Sequence, residues 1–330
     1  MSGHGDTDVL ERPAETVDDG LMPARVRAMI AETDDILRIE LVPANGQSFP
    51  PPTPGAHIDL HLPERRVRQY SLTLGSCPAR YVTGILKEKA GRGGSRHVHE
   101  VLRPGDIVQI SKPRNAFALA DGDRPVTLIA GGIGITPILA MADALSQSGR
   151  TWQLAYCARN RTAAAFLEEL AAYGDPVRLR FDDEAGSPPD LAEIVADAPE
   201  GTDFYCCGPT AMLDAFCEAT AGLPEERVHI ERFTAARPLV GDGGFLVTLA
   251  RSGETLSVAA DQTILDALLD AGVEVESSCC VGICGTCETK VLEGVPDHRD
   301  AILTEEERSS NATMMVCCSR SKSPELVLDL

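Results

Sequence analysis

The chain has 330 residues, enough for two to three domains of ordinary size with sizeable buried cores. Its formal charge of −20 argues against nucleic acid or an anionic membrane surface as a partner, since both repel an acidic protein, and favours a partner with a basic docking face. No run of about 18 apolar residues occurs, residues 1–20 are polar and acidic, and the eleven cysteines suit metal binding in a reducing cytoplasm better than a disulfide framework, so a soluble, cytoplasmic monomer is expected.

In chain order, residues 1–20 read as a flexible segment. Residues 21–122 carry short alternating runs at 26–30, 36–42, 58–62 and 81–86, broken by Gly and Pro, which predict a small six-stranded antiparallel barrel. The proline run at 50–54 reads as a stiff loop. Residues 123–232 alternate apolar strand runs (126–130, 152–157, 177–181, 204–207, 228–230) with helical patterns (138–145, 166–172, 212–219), the signature of a parallel α/β sheet. Residues 233–243, with Pro238 and several glycines, read as a linker. The last unit, 244–330, opens on a hairpin (245–250 and 255–258) around Ser252-Gly253. A helix follows with Ile264, Leu265, Leu268 and Leu269 on one face, Asp261 as its cap and Gly272 past its end.

The sharpest signal lies in that unit. Cys279, Cys284, Cys287 and Cys317 fall at C-x4-C-x2-C-x29-C, the plant-type [2Fe–2S] spacing. Three thiolates come from one tight loop, a fourth from a distant segment, and Gly282 and Gly285 free the backbone for conformations costly to residues with a Cβ. A zinc site would favour two short-spaced pairs, and adjacent Cys317 and Cys318 rarely both reach one tetrahedral ion. Cys280 in place of Cys279, and Cys318 in place of Cys317, stay open. Cys77, Cys157, Cys206, Cys207 and Cys217 default to buried apolar residues, and His57, His61, His97, His99 and His229 to structural roles.

In the barrel unit, Arg68-Gln69-Tyr70-Ser71-Leu72 suits a flavin: Arg68 for a phosphate, Tyr70 for stacking, Ser71 for the ring's reactive nitrogen. Ile85 and Lys87 are further candidates there. Gly93-Gly94-Ser95 precedes a helix, a natural phosphate cradle. Gly131-Gly132-Ile133-Gly134-Ile135-Thr136-Pro137 follows a strand and opens a helix. It departs from G-x-G-x-x-G, so spacing alone leaves nucleotide binding open. A second strand-turn-helix junction, Cys207-Gly208-Pro209, strengthens it, because ligands of parallel sheets bind at the C-terminal ends of strands.

Taken in this order, the motifs resemble the phthalate dioxygenase reductase family, especially reductases of the vanillate demethylase kind, from about residue 21 to 330. The resemblance also rests on Pro113-Arg114-Asn115 and the 228–233 stretch. It implies an FMN barrel and an NAD domain of the ferredoxin-reductase kind, with a C-terminal β-grasp [2Fe–2S] ferredoxin. Arg68 and Ser95 would hold the FMN phosphate, Tyr70 would stack on the isoalloxazine, Ser71 would sit near its N5, and Phe233 would shield its other face. Ser71, Cys207 and Phe233 are the candidates nearest the chemistry. The Gly-Gly-Ser loop implies FMN rather than FAD. Asp182 and Asp183 favour NADH by repelling a 2′-phosphate, while Arg159 and Arg161 weigh the other way. The expected function is to take a hydride from NADH and release single electrons to a Rieske-type terminal oxygenase. Alternatives are a haem-thiolate monooxygenase as acceptor, an FAD-using relative, or an electron carrier with a degenerate nucleotide site.

Overall fold

The computed structural model describes residues 20–63, 66–88, 93–233, 244–259, 262–277, 280 and 282–330. The first unit is built from β1 (Met22–Ala31), β2 (Ile36–Pro43), β3 (His57–Leu62), β4 (Arg66–Ser71), β5 (Tyr81–Leu86), α1 (Gly94–Glu100) and β6 (Ile107–Ile110). The sheet order is β4-β3-β6-β1-β2-β5, with every ladder antiparallel. A bridge between Leu72 and Thr83 joins the two edges, so the six-stranded sheet closes as expected. Val26, Ile39, Leu41, Ile58, Leu60, Ile85 and Ile110 fill its interior. Phe49 stacks on Tyr81 at 4.4 Å, and the Tyr81 hydroxyl donates to the Pro50 carbonyl at 2.5 Å, which pins the proline-rich loop.

The second unit alternates β7 (Val126–Gly131), α2 (Ile135–Ser148), β8 (Trp152–Ala158), α3 (Leu167–Ala171), β9 (Val177–Phe181), α4 (Asp182–Ala185), α5 (Leu191–Ala196), β10 (Asp203–Cys207), α6 (Thr210–Thr220) and β11 (Val228–Glu231). Its strands are all parallel, in the order β11-β10-β7-β8-β9. β7 and β10 are buried along their whole length, as the continuous apolar runs require. The sequence reading missed α4 and α5, which are too short to display a helical period. Asp190 caps α5 by accepting the N–H groups of Ala192 and Glu193. The chain arrives from the barrel through Phe117, packed edge-on against Tyr205 at 5.7 Å, and Ala120, whose N–H donates to the Tyr205 hydroxyl at 2.7 Å.

The third unit comprises β12 (Phe245–Leu249), β13 (Thr255–Val258), α7 (Ile264–Asp270), β14 (Glu288–Glu293), β15 (Pro296–Asp297), α8 (Glu305–Ser310), β16 (Thr313–Met315), β17 (Arg320–Ser321) and β18 (Glu325–Leu328). Five strands form a mixed sheet, β13-β12-β18-β14-β16, in which only β12 and β18 run parallel. Two expectations for α7 need correcting. Its cap is Thr263, in a reciprocal capping box with Asp266, whereas Asp261 lies outside the described residues. Leu269 is exposed, and Ala267 takes its place in the core beside Ile264, Leu265 and Leu268, because the helix is too short to bury a wider stripe. The 234–243 part of the expected linker also lies outside the described residues. No described helix is long and apolar enough to cross a membrane.

One buried carboxylate holds the start of the parallel sheet. Asp203 is bonded by Arg150 at 2.9 Å and by Arg124 at 3.2 Å, and Arg150 also donates to the carbonyls of Ala120 and Arg124. Replacing Arg150 by Met leaves that carboxylate with one exposed partner. The expected loss is about 3 kcal/mol of stability, at the low end for a broken buried pair because Arg124 remains. Denaturant unfolding of the two proteins measures it, and a loss below about 1 kcal/mol would contradict this account.

Candidate functional site

The order of the parallel sheet places a crevice where the connections change direction, between β7 and β10. Both glycine turns lie there, at the C-terminal ends of those strands. They touch each other through main chain. A Cβ on Gly134 would lie 2.2 Å from the Cys207 carbonyl oxygen, and one on Gly131 would lie 2.5 Å from the Met212 sulfur and 2.7 Å from Pro209 Cδ. A Cβ on Gly208 would meet the same sulfur at 2.8 Å. Gly132 has φ of +53°, and its carbonyl accepts the Tyr156 hydroxyl at 3.2 Å. Ile135, Thr136 and Pro137 form the buried first turn of α2. Farther along the same edge, the exposed Arg159 offers its carbonyl to the Asp183 N–H at 3.1 Å, which brings Arg159 and the Asp182-Asp183 pair together. Arg161 is engaged by Glu184 and the Phe181 ring.

On the barrel, Arg66, Arg68 and Tyr70 alternate along β4, and the two arginines meet the helix-opening loop. A Cβ on Gly94 would lie 2.6 Å from Arg68 Nε, and one on Gly93 would lie 3.3 Å from Arg66 Nη1. Two guanidinium groups at the start of α1 match the charge of a phosphate. The Tyr70 hydroxyl is buried with no hydrogen-bond partner among the described residues, and burial pushes its pKa up. An orphaned buried hydroxyl beside paired arginines fits a bound polar ligand. Other candidates have structural employment. Gln69 donates to Asp59, Leu72 and Ile85 are in the core, Lys87 pairs with Glu100 at 3.0 Å, and the Ser95 hydroxyl accepts the Glu88 N–H at 3.0 Å.

The two units converge on a residue to which the sequence reading assigned no role. Glu231 ends β11 directly opposite Cys207, whose thiol donates to the Glu231 carboxylate at 3.9 Å. The Ser71 hydroxyl reaches the same carboxylate from the barrel. Among the described residues no cation acts on Glu231, and burial raises its carboxyl pKa to about 8, while burial together with Glu231 pushes the Cys207 thiol up. The only hint in the sequence was an acid at the end of the Val228-His229-Ile230 strand run. Phe233, two residues on, stands 40% exposed.

In the third unit, Cys279 lies outside the described residues, and among the described ones no three Cys, His, Asp or Glu side chains form a metal-binding group. The loop nevertheless has the backbone expected of it. Gly282 and Gly285 have φ of +77° and +76°, and a Cβ on Gly282 would lie 2.5 Å from the Cys318 sulfur and 2.8 Å from Asp300 Cα. The Ala301 N–H donates to the Gly282 carbonyl at 2.9 Å, so the segment beside Asp300 clamps the loop. Cys284 is exposed, while Cys287, Cys317 and Cys318 are buried. A hydrogen bond with Cys317 holds the Cys318 thiol below its ordinary pKa. The donor set of soft sulfurs, three from one loop, fits an iron–sulfur cluster. The default of burial fails for Cys77, which is exposed in a turn, and for Cys217, which is half-buried.

Residues 128–218 match the oxidoreductase NAD-binding domain model, and residues 247–322 match the 2Fe-2S iron-sulfur cluster binding domain model. Among known proteins, the chain is 50% identical over 309 residues to phenoxybenzoate dioxygenase subunit beta of Ectopseudomonas oleovorans, covering 93% of this chain and 96% of that one. It is 44% identical over 312 residues to vanillate O-demethylase oxidoreductase of a Pseudomonas species, covering 92% and 98%. Among solved structures, phthalate dioxygenase reductase, described as modular for electron transfer from pyridine nucleotides to [2Fe-2S], superposes with a TM-score of 0.80 at 36% identity. The match covers 95% of this chain and 99% of that one.

The environment of Glu231 has a thermodynamic consequence. Its folded pKa of about 8 stands above the ordinary 4.5, so its contribution to stability is complete below about pH 4.5 and is lost as pH rises to 8. Glu231→Gln carries no such titration. The stability of the wild-type protein relative to this variant should therefore fall between pH 5 and pH 8, measured by thermal melting at each pH. A difference that stays constant, or grows, would show that the carboxyl is not desolvated.

Proposed function

Because the chain belongs to the phthalate dioxygenase reductase family of iron–sulfur flavoprotein oxidoreductases, we propose that it is the NADH-dependent reductase component of an oxygenase or demethylase. The observation that carries this reading is the convergence of Ser71 from the barrel with Cys207 and Glu231 from the nucleotide sheet, the point at which the two units meet. FMN, NADH and a [2Fe–2S] cluster are its cofactors. Together they turn a two-electron hydride donor into a source of single electrons.

The protein's own groups bind, orient and exclude water. Arg68, with Arg66 and the Gly93-Gly94-Ser95 loop, holds the flavin phosphate, and Tyr70 offers its face to the ring. The glycines of the 131–137 turn and Cys207-Gly208-Pro209 bring main chain close to the dinucleotide, and Asp182 receives the ribose hydroxyls of NADH. Ser71, hydrogen-bonded to Glu231, would offer its hydroxyl to the flavin's reactive nitrogen. Glu231, with its raised pKa, keeps a proton at that place near neutral pH. Phe233 would shield the flavin's other face. Cys279, Cys284, Cys287 and Cys317 ligate the cluster in a separately folded unit.

The acceptor is a terminal oxygenase of Rieske type with a basic docking face. From 244 to 330 the chain carries 15 Asp and Glu against 6 Lys and Arg, a formal −9. Glu305, Glu306 and Glu307 are exposed at the start of α8, and Ile302, just before it, is also exposed and touches the Cys284 loop at Gly285. Such a surface steers a positively charged partner toward the cluster.

The cofactor assignment is checked on the Cys284→Ser variant and on the flavin released from denatured wild type. The variant should lose the iron–sulfur absorption and its electron transfer to cytochrome c, yet keep FMN and NADH-dependent flavin reduction. Full iron content in the variant, or FAD in the released fraction, would overturn it.

Steering is read from ionic strength. The second-order rate of electron transfer to the oxygenase should fall severalfold as salt rises toward about 0.5 M, where screening acts over a few ångströms. Anaerobic flavin reduction by NADH should change far less, and a flat profile for the acceptor step would exclude acidic guidance.

A further inference from the structure

Between the barrel and the nucleotide sheet runs a seam that borders the nucleotide turn at Thr136 and otherwise lies outside both binding sites. In the β2–β5 ladder, Arg38 stands directly opposite Gly84. Its guanidinium Nη2 lies 2.6 Å from Glu32 Oε1, also bonds the Glu169 carboxylate of α3, and sits over the Phe166 ring at 5.0 Å. Glu32 uses its second oxygen to accept the Phe166 N–H at 2.9 Å. Arg38 and Glu32 belong to the barrel, whereas Phe166 and Glu169 belong to the nucleotide unit. The contact is therefore a four-membered bolt across the two. Phe166 is buried with φ of +61°, a left-handed conformation that a bulky side chain keeps only where its surroundings over-determine it.

On the other side of Arg38 the seam becomes a hard stop. A Cβ on Gly84 would lie 2.8 Å from Thr136 Cγ2 and 3.1 Å from the Phe166 ring. The bare backbone of β5 therefore rests on Thr136, a residue of the turn that meets the dinucleotide. The neighbouring Thr83 donates its hydroxyl to the Ser71 carbonyl at 2.9 Å. Two successive residues of one strand thus hold Ser71 on the flavin side and the 131–137 turn on the nucleotide side. That turn is fastened a second time. Tyr156 donates to the Gly132 carbonyl at 3.2 Å and accepts the Ala165 N–H at 3.1 Å, next to Phe166 in the chain.

Hydride transfer requires the reacting atoms to approach within about 3–3.5 Å, and a misplacement of about 1 Å costs on the order of a hundredfold in rate. We propose that this seam sets the separation between hydride donor and acceptor, with Gly84 as the stop and Arg38, bridging Glu32 and Glu169, as the bolt. Both are positioning residues, acting through Ser71 and the 131–137 turn rather than by touching the reactants. The proposal rests on the reading above that NADH reduces a flavin in the barrel.

Anaerobic stopped-flow reduction of the FMN-loaded protein by NADH tests the stop. Gly84→Ala should lower the limiting rate of flavin reduction about ten- to a hundredfold, with the NADH dissociation constant within about threefold and FMN content unchanged. Thr136→Ser removes the methyl that the new Cβ meets, so Gly84→Ala should cost much less in the Thr136→Ser background than in the wild type. Scanning calorimetry tests the bolt without turnover. The barrel and nucleotide units of the wild type should melt in one transition, and Arg38→Met should separate it into two. A wild-type limiting rate in Gly84→Ala, a loss confined to NADH affinity, or no rescue by Thr136→Ser would overturn the stop. A single undivided transition in Arg38→Met would overturn the bolt. Should Gly84→Ala not fold, the limiting rate of Arg38→Met decides, and a wild-type value rejects the positioning role. A wild-type protein whose FMN is not reduced by NADH would reject the functional reading and the positioning role with it, while the calorimetric result would still report on the bolt.

Discussion

Everything in the nucleotide unit depends on two turns meeting without side chains between them. Gly134 lies so close to the Cys207 carbonyl that no Cβ could be accommodated, and Gly131 is pressed in the same way against Pro209 and Met212. Because β7 and β10 are neighbours, this contact joins the ends of both strands into one floor for the crevice. It also fixes where Cys207 points, and through the cross-strand pair it fixes Glu231. A glycine-rich turn is usually read as room for a phosphate. Here the same glycines first serve the packing of one turn on another, and the crevice is the result.

The buried acids of the molecule show how environment divides structural from chemical roles. Asp203 is met by two arginines, and Asp300 by the N–H groups of Ile302 and Leu303 with Arg308 nearby, so each buried carboxylate is compensated. Among the described residues, the side chains that hydrogen-bond to Glu231 are a thiol and a hydroxyl. A carboxyl that is desolvated with neutral partners near a crevice is the pattern found at reaction centres, and compensated ones are the pattern of scaffolds.

The modular plan follows from the chemistry it serves. A hydride donor and its acceptor must be held at contact distance, so the barrel and nucleotide sheet share a seam of half-buried charge and packed backbone. Single electrons tolerate more distance and need a surface where a partner can arrive, which suits a separate unit carrying an exposed Cys284 and excess negative charge. A packed seam between the first two units and an acidic, accessible face on the third are two answers to two kinds of transfer.

The cluster spacing, the closed antiparallel sheet, the alternation of strand and helix and the order of the motifs were all legible in the sequence. Each is written locally: thiols spaced along one loop, side chains alternating along one strand, glycines after one strand's end. Even the left-handed conformations of Gly282 and Gly285 follow from residue type and position. Where local rules compete, the reading slipped, as when Thr263 rather than Asp261 capped α7, or when the short α4 and α5 offered no period to detect. The role of Glu231 was not local at all. Its raised pKa is a property of desolvation, which outweighs the opposing hydrogen bonds from Cys207 and from Ser71, a barrel residue 160 positions earlier in the chain. The seam is of the same kind, with Arg38 and Glu169 131 positions apart and Gly84 required by a threonine in another unit. Only the tertiary structure decides these, because burial and contact distance arise from packing between segments that sequence proximity does not connect.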